Sequence, residues 1–195
     1  MVEDCRDRVV ATAITHFFVA ASLSLPAMKS NSIRRVLPWW AVPVTAGLLA
    51  VAPDLDTPLL RALQVPRGTL FSHRGFFHSA MFLTVFAGVL AVFAARRHPW
   101  QSAAWLTVLW AASAITHPLL DMLTDGGGGV MLLYPFTSER LFFPWRPIHV
   151  SPLSIRAFFG RAGYILKSEF PFCVAALAIG LAALSLRPRR RYHRR

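Results

Sequence analysis

Seven side chains in four short stretches of this chain are of the types that bind divalent metals. The first stretch is Thr116-His117-Pro118-Leu119-Leu120-Asp121. His117 and Asp121 are four residues apart and share a helix face, with Cβ atoms about 6 Å apart. An imidazole nitrogen and a carboxylate oxygen then reach one cation, or else hydrogen-bond to hold two helices together. Asp125 continues that face if the helix persists. The second stretch is Ser72-His73-Arg74-Gly75-Phe76-Phe77-His78-Ser79. His73 and His78 do not share a helix face. They converge only if His73 lies in a loop and His78 in the first turn of the apolar segment that follows, with Gly75 permitting the sharp entry. The alternative is an interfacial basic loop. The third stretch, Pro53-Asp54-Leu55-Asp56-Thr57-Pro58, sets two carboxylates in a turn. They suit hard or borderline cations, although Asp and Pro are also ordinary turn residues. The fourth is Thr15-His16, whose imidazole is either a ligand or a partner for another helix.

Elements of an unusual kind must position these groups. The chain has 195 residues, 55% hydrophobic and only 15% charged, with a mean hydropathy of +0.47. A soluble domain averages about 25% charged residues, so the composition points away from a soluble chain and excludes a long disordered one. Five apolar segments, Val9–Leu25, Val36–Pro53, Phe76–Ala95, Trp100–Leu120 and Phe170–Leu186, are each near the 17–25 residues that cross roughly 30 Å of hydrocarbon as helix. The expected fold is all-α: one polytopic membrane domain over residues 1–195, with about five transmembrane helices. Thr57-Pro58 and Ser151-Pro152 read as helix starts. Downstream of the second, Ile155, Phe158, Phe159, Ala162 and Leu166 recur at helical spacing, as in an amphipathic helix lying on the membrane surface.

The net charge of +12 raises the question of nucleic acid. The basic residues lie instead between apolar runs and in the tail 187–195, which suits attraction to anionic lipid. No nucleic-acid partner is expected. Lys29, Arg34, Arg35, Arg96, Arg97 and the arginine tail are the basic groups that cytoplasmic segments carry. That places the C-terminus in the cytoplasm and the N-terminus outside. All four His/Asp stretches then fall at one depth, toward the outer face. Two cysteines, Cys5 and Cys173, are too few for a disulfide framework.

Taken together, Thr15-His16, Pro53-Asp54-Leu55-Asp56, His73-Arg74-Gly75-Phe76-Phe77-His78-Ser79 and His117-Pro118-Leu119-Leu120-Asp121 resemble the YdjM-type membrane-bound metal-dependent hydrolases, bacterial inner-membrane proteins associated with LexA regulation. The resemblance runs from about residue 12 to residue 140 when Tyr134–Arg140 is included. The order of ligands is also similar, more weakly, to zinc-dependent phospholipase C and the P1-type nucleases. The resemblance implies a multi-pass protein of the bacterial inner membrane and a metal-dependent hydrolase.

Imidazoles mixed with carboxylates suit Zn²⁺, with Mn²⁺ or Fe as alternatives, and more than four candidate ligands suit two ions rather than one. His73, His78, His117 and Asp121 are the first ligands expected, with His16 and one of Asp54 or Asp56 completing a second site. The other carboxylate of that pair is placed as the proton acceptor for the attacking water. Arg74 is placed to hold a phosphoryl oxygen or a lipid headgroup. The expected reaction is hydrolysis of a phosphoester, with a lipid or lipid-linked substrate favoured and membrane lipids as surroundings. The competing readings are a divalent-cation transporter and a metal-stabilised structural membrane protein. The inner halves of the last three segments are nearly devoid of ionisable residues, which counts against transport.

Overall fold

The computed structural model describes residues 9–10, 12–66, 68–152 and 155–186. The basic tail, Cys5 and Arg67 lie outside these. Each of the five apolar segments contains one helix: α1 (Ala13–Leu23), α3 (Ala41–Val51), α5 (Ala80–Ala94), α6 (Trp100–Met122) and α7 (Ile155–Leu186). Two short helices, α2 (Asn31–Arg34) and α4 (Asp56–Ala62), lie in the connections. The one sheet pairing among the described residues is a two-residue antiparallel contact of β1 (Val9–Val10) with β2 (Ser151–Pro152).

The helices match the five apolar segments in number but not in length. Among the described residues, only α6 and the Gly160–Leu186 part of α7 are long and apolar enough to cross a membrane, while α5 is a shorter apolar helix. Proline is the physical reason at three of the short ends. Pro26 opens a 3₁₀ turn after α1, Pro38 precedes α3, and Pro53 lies in the 3₁₀ turn that follows it. Pro43 and Pro118 are accommodated inside α3 and α6.

Three local expectations are corrected. The amphipathic stretch is not a separate surface helix. It runs without a break into the last apolar segment as the 32-residue α7, because Lys167-Ser168-Glu169 interrupts hydrophobicity without interrupting helix-forming backbone. Ser151-Pro152 is a strand rather than a helix start. The helix after Asp54 begins at Asp56, and the Thr57 hydroxyl turns to Asp56 and His73 instead of capping.

Polarity is distributed inside out. Val85, Val89, Val92 and Phe93 of α5 and Ile179 and Leu181 of α7 face outward, while Thr12, Thr15, His16, His117, Asp121 and Glu169 are buried. One core cluster joins Ile33, Val42, Ala87, Leu106 and Trp110, and the Trp110 indole donates to Thr45 Oγ1 at 3.1 Å. A second joins Val19, Leu120, Ile148 and Ala176. Small residues let these helices approach closely. Gly180 of α7, for example, lies against the Ser22 carbonyl, leaving no room for a Cβ.

Candidate metal centre

His16 is in the first turn of α1, and Asp54 and Asp56 follow the end of α3. His73 and His78 precede α5, and His117 and Asp121 occupy the end of α6. These helices alternate in direction, so the four places fall at one end of the bundle and their side chains meet. His117 Nε2 is 3.2 Å from His78 Nε2, 3.3 Å from Asp54 Oδ1 and 3.5 Å from Asp121 Oδ2. The His16 ring stacks on His117 with centroids 3.9 Å apart, and its Nε2 is 3.7 Å from Asp121 Oδ1. The rings of His73 and His78 meet edge to face at 4.9 Å. As expected, His73 lies in the loop. His78 closes the 3₁₀ turn Phe76–His78, and Ser79 then caps α5 by accepting from the Phe82 amide.

Protein acceptors orient the rings. His117 Nδ1 is 2.7 Å from the Ala50 carbonyl oxygen. In the neutral ring Nδ1 carries the proton, and Nε2 turns its lone pair to the centre. His73 Nδ1 is 2.9 Å from Asp56 Oδ1, and His78 Nδ1 is 3.4 Å from Asp56 Oδ2. Asp56 therefore stands behind two imidazoles, while Asp54 and Asp121 face the centre.

The donor set fits a divalent cation. Both ring nitrogens of His16, Asp54 Oδ1, Asp121 Oδ2 and His73 Nε2 are buried without a hydrogen-bond partner. Each such atom costs about 1–3 kcal/mol unless something satisfies it. Two groups have ligand spacing: His16, His117 and Asp121, and separately Asp54, His73 and His78. Within each, the ligand atoms lie within 4.8 Å of one another. Imidazole nitrogens with carboxylate oxygens are a zinc-type set, and they also accept manganese or iron.

Arg74 faces inward. It is 2% exposed, its Nη2 donates to Asp121 Oδ1 at 2.9 Å, and its Nη1 donates to the Gly126 carbonyl at 3.0 Å. Its guanidinium is thus engaged by Asp121 and the glycine run. The glycine run explains how it fits. Gly127 has φ +87°, and a Cβ there would collide with Arg74 Nη1. Gly75 is packed as tightly, with a Cβ excluded by the Leu70 carbonyl.

Arg140 has a role that the sequence did not reveal. Its guanidinium donates to Ser72 Oγ at 2.7 Å and to the carbonyls of Thr69, His73 and Gly129. It clamps the histidine loop to the glycine run. Burial and the nearby charge of Arg74 both lower its pKa. Glu169 was missed too. It is 1% exposed and accepts from the Thr12 amide at 2.7 Å, Thr12 Oγ1 at 2.5 Å and Thr15 Oγ1 at 2.6 Å, tying α7 to α1 beside His16. The only signal in sequence was a lone acidic residue at the edge of the last apolar segment. Asp125 stands outside the centre, paired with His149 at 2.7 Å.

Comparison with known proteins finds relatives among bacterial inner-membrane proteins. The chain is 40% identical over 164 residues to the inner membrane protein YbcI of Escherichia coli (strain K12), an alignment covering 81% of this chain and 87% of the relative. It is 33% identical over 103 residues to the inner membrane protein YdjM of the same organism, covering 50% of each. No solved structure matches, so the likeness to zinc phospholipase C and P1-type nucleases rests on residue order alone. The family model for the YdjM inner membrane protein matches residues 11–193, and the chain belongs to that family.

Proposed function

We propose that the protein is a membrane-bound metal-dependent hydrolase that cleaves a phosphoester, with a lipid or lipid-linked substrate favoured. The observation that carries this reading is the buried, unpartnered donor set in which two three-residue groups adjoin. His16, His117 and Asp121 would hold one cation, and Asp54, His73 and His78 a second. A zinc-type ion supplies Lewis acidity and a nucleophile from water at neutral pH. The chain's own residues do the rest. Ala50 and Asp56 fix the ring orientations, and Arg74 holds Asp121. Asp54 would bind through Oδ1, the atom that faces His117, and leave Oδ2 to take the proton of the attacking water. The site is assigned to the outer-face end of the bundle, with the C-terminus in the cytoplasm.

The test is metal analysis and turnover of detergent-purified protein. Wild type should carry zinc, manganese or iron and cleave a phosphomonoester, phosphodiester or phospholipid in a chelator-sensitive way. His117→Ala should still insert, but with lowered metal content and no turnover. Full metal occupancy in His117→Ala would remove the ligand assignment. Absence of turnover across the panel by metal-replete protein, with Zn²⁺ or Mn²⁺ uptake into proteoliposomes, would replace hydrolysis with transport.

A further inference from the structure

Away from the metal centre, a groove of about 660 Å³ runs along the first half of α7 against the segment 145–149. Its walls are mostly apolar, with Trp145, Pro171, Phe172 and Ala175 among them. Lys167, His149, Ser168 and Tyr164 also line it and supply its polar groups. His149 is held on two sides: its Nδ1 is 2.7 Å from Asp125 Oδ2, and its ring stacks on Tyr164 with centroids 4.0 Å apart. Its amide donates to Ser168 Oγ at 3.0 Å, which fixes the segment to α7. The groove therefore joins a built polar end to an apolar trough.

We propose that this groove binds an anionic phospholipid, its phosphate at Lys167 and His149 and an acyl chain along Trp145 and Phe172. Two features select this occupant. The first is charge: Lys167 is the basic side chain on an apolar trough whose described lining includes no carboxylate, the complement of an anionic head on a hydrocarbon tail. The second is level. Lys167 lies just before the apolar run Phe170–Leu186, whose 17 residues rise roughly 26 Å as helix. That puts Lys167 at the height of headgroups and Phe172 at the height of acyl chains, with the lysine stem free to reach outward. Trp145, 67% exposed, is the kind of indole that the interface favours. The site is independent of the hydrolase reading, because neither metal group contributes to it.

The experiment is native mass spectrometry of delipidated, detergent-purified full chain titrated with phosphatidylglycerol and with phosphatidylcholine of the same acyl chains. Wild type should retain one phosphatidylglycerol with an affinity at least about fivefold above that for phosphatidylcholine. Lys167→Ala should erase the preference and Lys167→Arg should keep it. Arg161→Ala, which removes an exposed basic side chain on the same helix outside the groove, should leave it unchanged. Trp145→Ala should weaken both lipids alike. Equal binding of the two lipids by wild type would overturn the proposal. So would an equal loss in Arg161→Ala, which reports diffuse charge attraction instead of a site. Displacement of phosphatidylglycerol by soluble glycerol phosphate at matching concentration would show that the acyl trough is unused, and would overturn it as well.

Discussion

Residues of one chemical type do different work here according to which atom faces the centre. Asp54 and Asp121 point carboxylate oxygens inward, whereas Asp56 faces the Nδ1 sides of His73 and His78. Asp56→Asn should therefore weaken metal binding about 10–100-fold without removing a ligand. Competition with a chromogenic chelator measures this, and saturating metal should restore full stoichiometry. The equivalent change at Asp54 should not be restored in that way. Arg74 yields a second prediction. Its buried pairing with Asp121 means that Arg74→Ala leaves a carboxylate uncompensated, a loss of about 3–5 kcal/mol. A lowered midpoint in a thermal scan, together with lowered metal content, is the expected outcome. Arg74→Lys should rescue partly, because one ammonium cannot serve both the Asp121 carboxylate and the Gly126 carbonyl. The histidines and aspartates were legible in sequence because such groups are costly in apolar surroundings and stand out. Glu169 and Arg140 were not. The partners of Glu169 lie 154 and 157 positions away, and Arg140 acts largely on backbone carbonyls, which leave no trace in residue types.

At the level of elements, each apolar segment was readable as helix from composition, while the lengths were not. Hydropathy counts Pro26, Pro38 and Pro53 as interruptions of little weight, whereas the backbone treats them as ends. The converse holds in α7, where three polar residues look like a boundary and the helix continues through them. The connection Gly126–Gly129 shows the same gap between composition and geometry. Four consecutive glycines carry no side chain to suggest a contact, yet Gly127 is the space that Arg74 fills. Gly127→Ala should thus act on the metal centre from a distance, combining a strained positive φ with a collision against the guanidinium. Metal content and thermal midpoint should both fall, whereas Gly68→Ala, where a side chain meets open space at a similar positive φ, should show the backbone cost alone.

For the whole molecule, the arrangement resolves into two unlike ends. One gathers the metal groups, Arg74, Arg140 and the glycine run. The other carries the turns after α1 and α5, with Lys29, Arg34, Arg35, Arg96 and Arg97. Lys29 donates to the Leu184 carbonyl at 2.5 Å, so the end of α7 lies at this second end, and the arginine tail follows directly in the chain. Short loops dense in Lys and Arg set orientation, and the proposed orientation puts this end in the cytoplasm and the metal groups toward the opposite leaflet. The short helices α1, α3 and α5 pack beside α6 and α7 and do not change that assignment, because each contributes its site residue at the same end. Alkaline phosphatase and green fluorescent protein fused in turn after residue 195 should give a fluorescent C-terminal fusion with no periplasmic phosphatase activity. A cysteine in place of Ser138, in the segment that leads to Arg140, should react with a membrane-impermeant maleimide on intact spheroplasts, and one in place of His98, between α5 and α6, should react only after permeabilisation. The reverse labelling pattern would invert the molecule, moving the centre to the cytoplasmic face and its substrate to the inner leaflet.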